Sequence, residues 1–141
     1  MKKEERIKAV FIQPGKPPEM IEMENSLKGY YALVGDPIQA VYPFEDDAVL
    51  ICNDEGKLNG LPLNRAILDR NGKVSDIIAG NMIICRAPIG SEDFASLTPA
   101  QARKYSDRFR RPEIFMKTPD GIMVTRLNLV SLTKKDKEIE R

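Results

Sequence analysis

An α+β fold, one domain built on a mostly antiparallel sheet with two helices, is predicted by three features of this chain. Apolar runs of strand length recur along it, turn signals such as Pro14-Gly15 and Asp120-Gly121 separate them, and only two stretches carry the chemistry of a helix start. At 141 residues, 42% of them hydrophobic, the chain is long enough for one proper core and too short for two. Residues 1–130 are therefore expected to form the domain, and residues 131–141, where charge alternates without a core stripe, a solvated tail.

Arg6–Gln13 (RIKAVFIQ) reads as the first strand, stopped by Pro14-Gly15, and Glu19–Glu24 (EMIEME) as its hairpin partner. Asn25 is the expected N-cap of a helix over Ser26–Val34, where Leu27, Tyr30, Tyr31 and Val34 recur at helical spacing before Gly35 and Pro37 end it. Ile38–Tyr42 alternates as a strand, and Val49–Cys52 follows the acidic turn Glu45-Asp46-Asp47 as another. Leu61, Leu63, Ala66, Ile67 and Leu68 return to the core before a turn at Asp69–Gly72; Val74–Ala79 and Asn81–Arg86 then flank Gly80 as strands. Thr98-Pro99-Ala100-Gln101 supplies an N-cap, a proline at N1 and a glutamine at N3, so a capping box opens a helix to about Phe109. Pro112 ends it, and Ile114–Lys117 with Ile122–Leu127 make a closing hairpin.

Composition excludes several function classes. Lys and Arg number 22 against 21 Asp and Glu, so a net charge of +1 offers no long-range field for non-specific nucleic-acid binding. No apolar run approaches the roughly 20 residues of a membrane span, and the N-terminal MKKEERIKAVF has glutamates where a signal peptide would be apolar. No membrane partner and a cytoplasmic location are expected. Cys52 and Cys85 each close an apolar run, VLIC and MIIC, which reads as two buried, unpaired strand thiols in a reducing compartment. There is no histidine, which removes Ser-His-Asp and Cys-His nucleophiles, HExxH zinc sites and imidazole acid–base chemistry. Neither GxxxxGK[ST] nor GxGxxG occurs. A protein without an enzymatic activity and without a cofactor is the expectation.

The candidate site lies in Ile51–Arg65 (ICNDEGKLNGLPLNR), where three Asn, two Gly, an Asp–Glu pair, a Lys and an Arg sit between short apolar runs. Such a loop either satisfies its own backbone or grips a polar ligand. Asn53–Lys57 suits an Asx turn with Gly56 in the left-handed region. In Leu58–Arg65 apolar anchors would let Asn59, Asn64 and Arg65 face one side, Arg65 as a two-point grip on phosphate or carboxylate and the amides as readers of a base or ribose edge. Asn53, Asp54, Glu55 and Lys57 complete the candidate ligand-binding set, with Tyr42 and Phe44 as a stacking edge. The acidic trio Glu45–Asp47 lacks the DxDxDG spacing of a calcium loop and reads as a solvated turn, so no metal ligand is assigned. Arg103, Arg108, Arg110 and Arg111 gather at a helix end, where they complement the macrodipole.

The succession VYPFEDD, ICNDEGKLNGLPLNRA, DIIAG and EDFASLT resembles an uncharacterised domain family common in phages, plasmids and integrative elements of Gram-positive bacteria. The resemblance runs from Ile7 to Phe115. It rests on Tyr42, Cys52, Asn53, Glu55, Gly56, Lys57, Leu61, Asn64, Arg65, Gly80 and Phe94, with Asp54 standing where a glutamate is usual. It implies a biological setting, the bacterial host cytosol, and carries no established activity. In that setting the leading expectation is a binding protein for a polar, phosphate-bearing small molecule, in its sharpest form a sponge that sequesters a nucleotide signal of bacterial immunity. Two other classes compete: a module that binds or inhibits a host protein, and a small hydrolase that uses Asp54, Glu55 and a metal. A homo-oligomer is compatible with each.

Overall fold

A computed structural model describes residues 3–127 of the chain; the tail assigned to 131–141 lies outside them. Among the described residues nine strands and two helices follow in the order β1 (Arg6–Ile12), β2 (Glu19–Glu24), α1 (Leu27–Val34), β3 (Ile38–Val41), β4 (Ala48–Asn53), β5 (Leu63–Leu68), β6 (Val74–Ala79), β7 (Met82–Arg86), α2 (Pro99–Arg108), β8 (Glu113–Thr118) and β9 (Gly121–Arg126). The main sheet has five strands in the order β2-β1-β7-β4-β3, and β5-β6 and β8-β9 form separate hairpins. Every pairing is antiparallel. The predicted α+β class and its two helices are present.

The central strands explain the continuous apolar runs. β4 and β7 are buried on both faces, so neither needs a polar alternate residue. Val49, Ile51, Ile83 and Cys85 face α1 with Ile7, Tyr30 and Val34; Leu50, Cys52, Met82 and Ile84 face α2 and β5-β6 with Tyr105, Phe109, Ile67 and Ile78. The sheet is thus the middle of three layers. Cys52 and Cys85 fall on opposite faces of it, free and buried, and cannot bridge.

Helix ends follow local chemistry with one correction. Thr98 and Gln101 form the capping box of α2, with Pro99 at its start. The N-cap of α1 is Ser26, whose hydroxyl accepts from the Gly29 N–H, and not Asn25. Asn25 is buried instead: its amide donates to the carbonyls of Glu4 and Phe94 and its oxygen accepts from the Tyr30 hydroxyl. Two long-range partners and the Tyr30 hydroxyl outcompete one cap, which Ser26 supplies equally well.

Burial pushes the Cys52 thiol up to about 11 and the Cys85 thiol up to about 12. Both should therefore react slowly with a thiol-disulfide reagent at neutral pH in the native protein and rapidly after denaturation. Native-state labelling as fast as that of a free thiol would contradict this packing.

Candidate functional site

The Asn-rich segment folds as a brace. β5 carries a bulge between Leu63 and Arg65, which turns the consecutive Asn64 and Arg65 both inward, each at 0% exposure. The Asn64 amide donates to the carbonyls of Ile12 and Gly80, at 2.9 and 2.8 Å. Arg65 donates from Nε and Nη2 to the Phe109 carbonyl at the end of α2, from Nη1 to the backbone and side-chain oxygens of Asn64, and from Nη2 to the Lys16 carbonyl at 2.7 Å. These five bonds use the five donors a guanidinium owns. Desolvation pulls the Arg65 pKa down, opposed by the charge of Glu113, itself buried, whose carboxylate accepts from the Ala66 N–H and from Arg126. Neither Asn64 nor Arg65 has a donor left to offer a ligand, so the expectation that they face a pocket beside Asn59 gives way to an internal role.

The rest of the segment is divided among three surfaces. Asn53 donates to the Val34 carbonyl while Asn81 donates to that of Leu33, so together they cap the C-terminal end of α1; the Asn53 oxygen accepts from the Glu55 N–H in the expected Asx turn. The left-handed glycine is Gly60, at φ 71°, and not Gly56. Gly56 is required for space, since a Cβ there would sit 2.7 Å from the Ala79 carbonyl oxygen. Asp54, Glu55 and Asn59 are exposed, and Lys57, in the turn between β4 and β5, pairs with Asp76 of β6 at 2.8 Å, exposed on both sides. The ion-pair partner of Lys57 is thus Asp76, and neither Asp54 nor Glu55. Among the described residues no group of three or more acidic or cysteine side chains is placed to hold a metal ion.

The remaining pair of candidates does line a cavity. Tyr42 and Phe44 form one wall of a cleft of about 940 Å³ whose other walls are Leu68–Arg70 at the end of β5 and Lys104 and Arg108 on α2. Tyr42 is 65% exposed, whereas Phe44 is half-buried against Tyr105, ring centroids 4.5 Å apart. The Arg108 guanidinium lies 5.2 Å from the centre of the Phe44 ring, which orients it without neutralising it. Among the described residues neither Arg70 nor Arg108 has a carboxylate within ion-pair distance.

Asp46 anchors the helix that carries Lys104 and Arg108. Its carboxylate accepts from the Tyr105 hydroxyl at 2.6 Å, the Ala48 N–H, the Gln101 amide and, at 3.4 Å, Lys104. The turn is therefore a buttress for α2 and not simply a solvated connection. Burial works to raise the Asp46 pKa; the hydrogen bonds and the charge of Lys104 outweigh it, and the net shift is downward. Sequence reasoning missed Arg70, Lys104 and Arg108 as one cluster because they come from two elements 34 positions apart. The only local signal was the i, i+4 spacing of Lys104 and Arg108.

A sheet with helices on both faces and an open cation-walled cleft at the α2 side defines the class: a small α+β domain with a ligand-sized groove. The chain belongs to the family described as Domain of unknown function (DUF3846), whose model matches residues 7–110. No curated protein and no solved structure matches the chain. The β8-β9 hairpin lies beyond the matched residues, although Glu113 on it completes the buried network around Arg65. No helix among the described residues is long and apolar enough to cross a membrane.

Arg65→Ala should destabilise the domain by about 3 kcal/mol or more, because it strands buried carbonyls, and lower the melting temperature by at least about 10 °C. Arg65→Lys should not restore it, since an ammonium lacks the planar fork. Thermal unfolding of both variants is the check, and a wild-type melting temperature for Arg65→Ala would refute the brace. A second test is acid titration. With its pKa depressed in the fold, Asp46 contributes stability that is fully present above its ordinary value of 3.8 and is lost as the pH falls through the lower folded value. Asp46→Asn should be less stable than wild type at neutral pH, and the gap should narrow below pH 3.8.

Proposed function

We propose that this protein is a non-enzymatic binder of a small phosphate-bearing molecule held in the cleft between Tyr42 and Arg108. One observation carries the reading: two guanidinium groups from different elements, Arg70 and Arg108, face one groove without a carboxylate partner among the described residues, beside an exposed aromatic ring. Arginine suits phosphate because its fork donates two parallel hydrogen bonds, and Tyr42 offers a flat face to a planar ring. In this reading the site that the sequence placed on Asn53–Arg65 moves to the C-terminal end of β5, with Tyr42 and Phe44 retained.

In the phage and mobile-element setting that the sequence resemblance implies, a binder of this kind acts as a sponge for a nucleotide signal of host defence. Tight binding suffices for that task, and turnover would add nothing. A second reading, contact with a host protein, draws support from the β8-β9 hairpin, where Ile114, Met116 and Met123 are each about half exposed (48, 51 and 46%) on one face.

Titration calorimetry with nucleoside monophosphates and cyclic dinucleotides should show saturable binding. Arg108→Ala and Arg70→Ala should each weaken it by about tenfold or more, and Tyr42→Ala by a similar factor, with little change in melting temperature. Ligand recovered after denaturation should be intact. Absence of saturable binding, or affinity indifferent to all three substitutions, would refute the cleft; release of a cleaved product at catalytic rates would make the protein an enzyme.

A further inference from the structure

The cleft also holds negative charge, and the fate of each carboxylate differs. Asp69 accepts from the N–H groups of Asn71 and Lys73, so it is occupied in closing its own turn. Asp46, next in sequence to the cleft residue Glu45, is bound on several sides by Tyr105, Ala48, Gln101 and Lys104. Glu45 is the exception. It lines the cleft three residues from Tyr42, is exposed, and its carboxylate has no hydrogen bond or ion pair to another described residue. A groove that served phosphate alone would lose affinity to such a charge. Glu45 makes chemical sense there if the ligand presents donors to it.

We infer that the cleft selects a guanine-type base: the ring stacks on Tyr42, its adjacent N1–H and exocyclic N2–H donate to the two oxygens of Glu45, and its phosphate is held by Arg70 and Arg108. This rests on the reading of the cleft as a phosphate-ligand site and adds to it the identity of the base. A carboxylate is acceptor-only when ionised, so it matches two parallel N–H donors. Adenine turns an N1 lone pair toward the same place and is repelled. Pyrimidines offer less ring area to Tyr42. The carboxylate and the guanidinium groups then have separate tasks at the two ends of one ligand, which explains their coexistence in a single groove.

The test compares GMP, IMP and AMP by titration calorimetry on the full chain. GMP should bind about tenfold or more tightly than AMP, with IMP, which has the N1–H but lacks the amino group, between them. Glu45→Gln should weaken GMP by about tenfold while leaving AMP unchanged or tighter, because a repulsive charge has gone. Arg108→Ala should weaken all three alike. Equal affinity for GMP and AMP, with Glu45→Gln moving both in the same direction and Arg108→Ala still weakening both, would overturn the base assignment and leave the phosphate site standing. Failure of all three to bind saturably would overturn both.

Discussion

The buried guanidinium of Arg65 is the constraint on which the rest of this structure depends. A charge of that size removed from water is costly unless each of its donors is satisfied, and the fold arranges five hydrogen bonds around it. Those bonds reach the loop after β1, the strand β5 itself and the Phe109 carbonyl just past α2, while Asn64 beside it ties the end of β1 to the Gly80 corner. The C-terminal end of α2 is negative through its exposed carbonyls, so the cation there is also electrostatically matched. Since Phe109 is held by Arg65 and packs with Phe44, the position of Arg108 over that ring follows from the same contact.

Asp46 holds the other end of the helix in a comparable way. Its bonds to Tyr105, Gln101 and Lys104 fix the face of α2 that looks into the cleft, and Gln101 is also the capping-box residue. Two polar anchors, one near each end of a helix of 10 residues, set the cleft wall on a rigid element. Sites on such elements are pre-organised, which lowers the entropy cost of binding. Tyr42 and Arg70 reach the same cleft from connecting segments.

The segment that dominates the sequence by its polarity is thus chiefly structural. Asn53 caps a helix, Asn64 and Arg65 brace the interior, Gly56 admits a close backbone approach, and Lys57 pairs on the surface. Clustered Asn, Gly and Arg announce unusual backbone demands as readily as a ligand. The residues that wall the cleft, by contrast, are ordinary in isolation: a tyrosine after a strand, a glutamate in a turn, two cations on a helix.

By itself the sequence determined the features whose causes are local. The capping box at Thr98 fixes where α2 begins, the doubly apolar VLIC and MIIC runs require central strands, and the lack of histidine limits the chemistry available. It also placed both cysteines in the interior. What only the tertiary structure decided is non-local: that β7 inserts between β1 and β4, that a bulge turns Arg65 inward, and that Arg70, Lys104 and Tyr42 meet. A bulge adds one residue to a strand and reverses which side the next side chain faces, and no periodicity within six residues reveals it. A buried arginine and a cleft-lining one are written with the same letter; their surroundings, assembled from distant parts of the chain, make the difference.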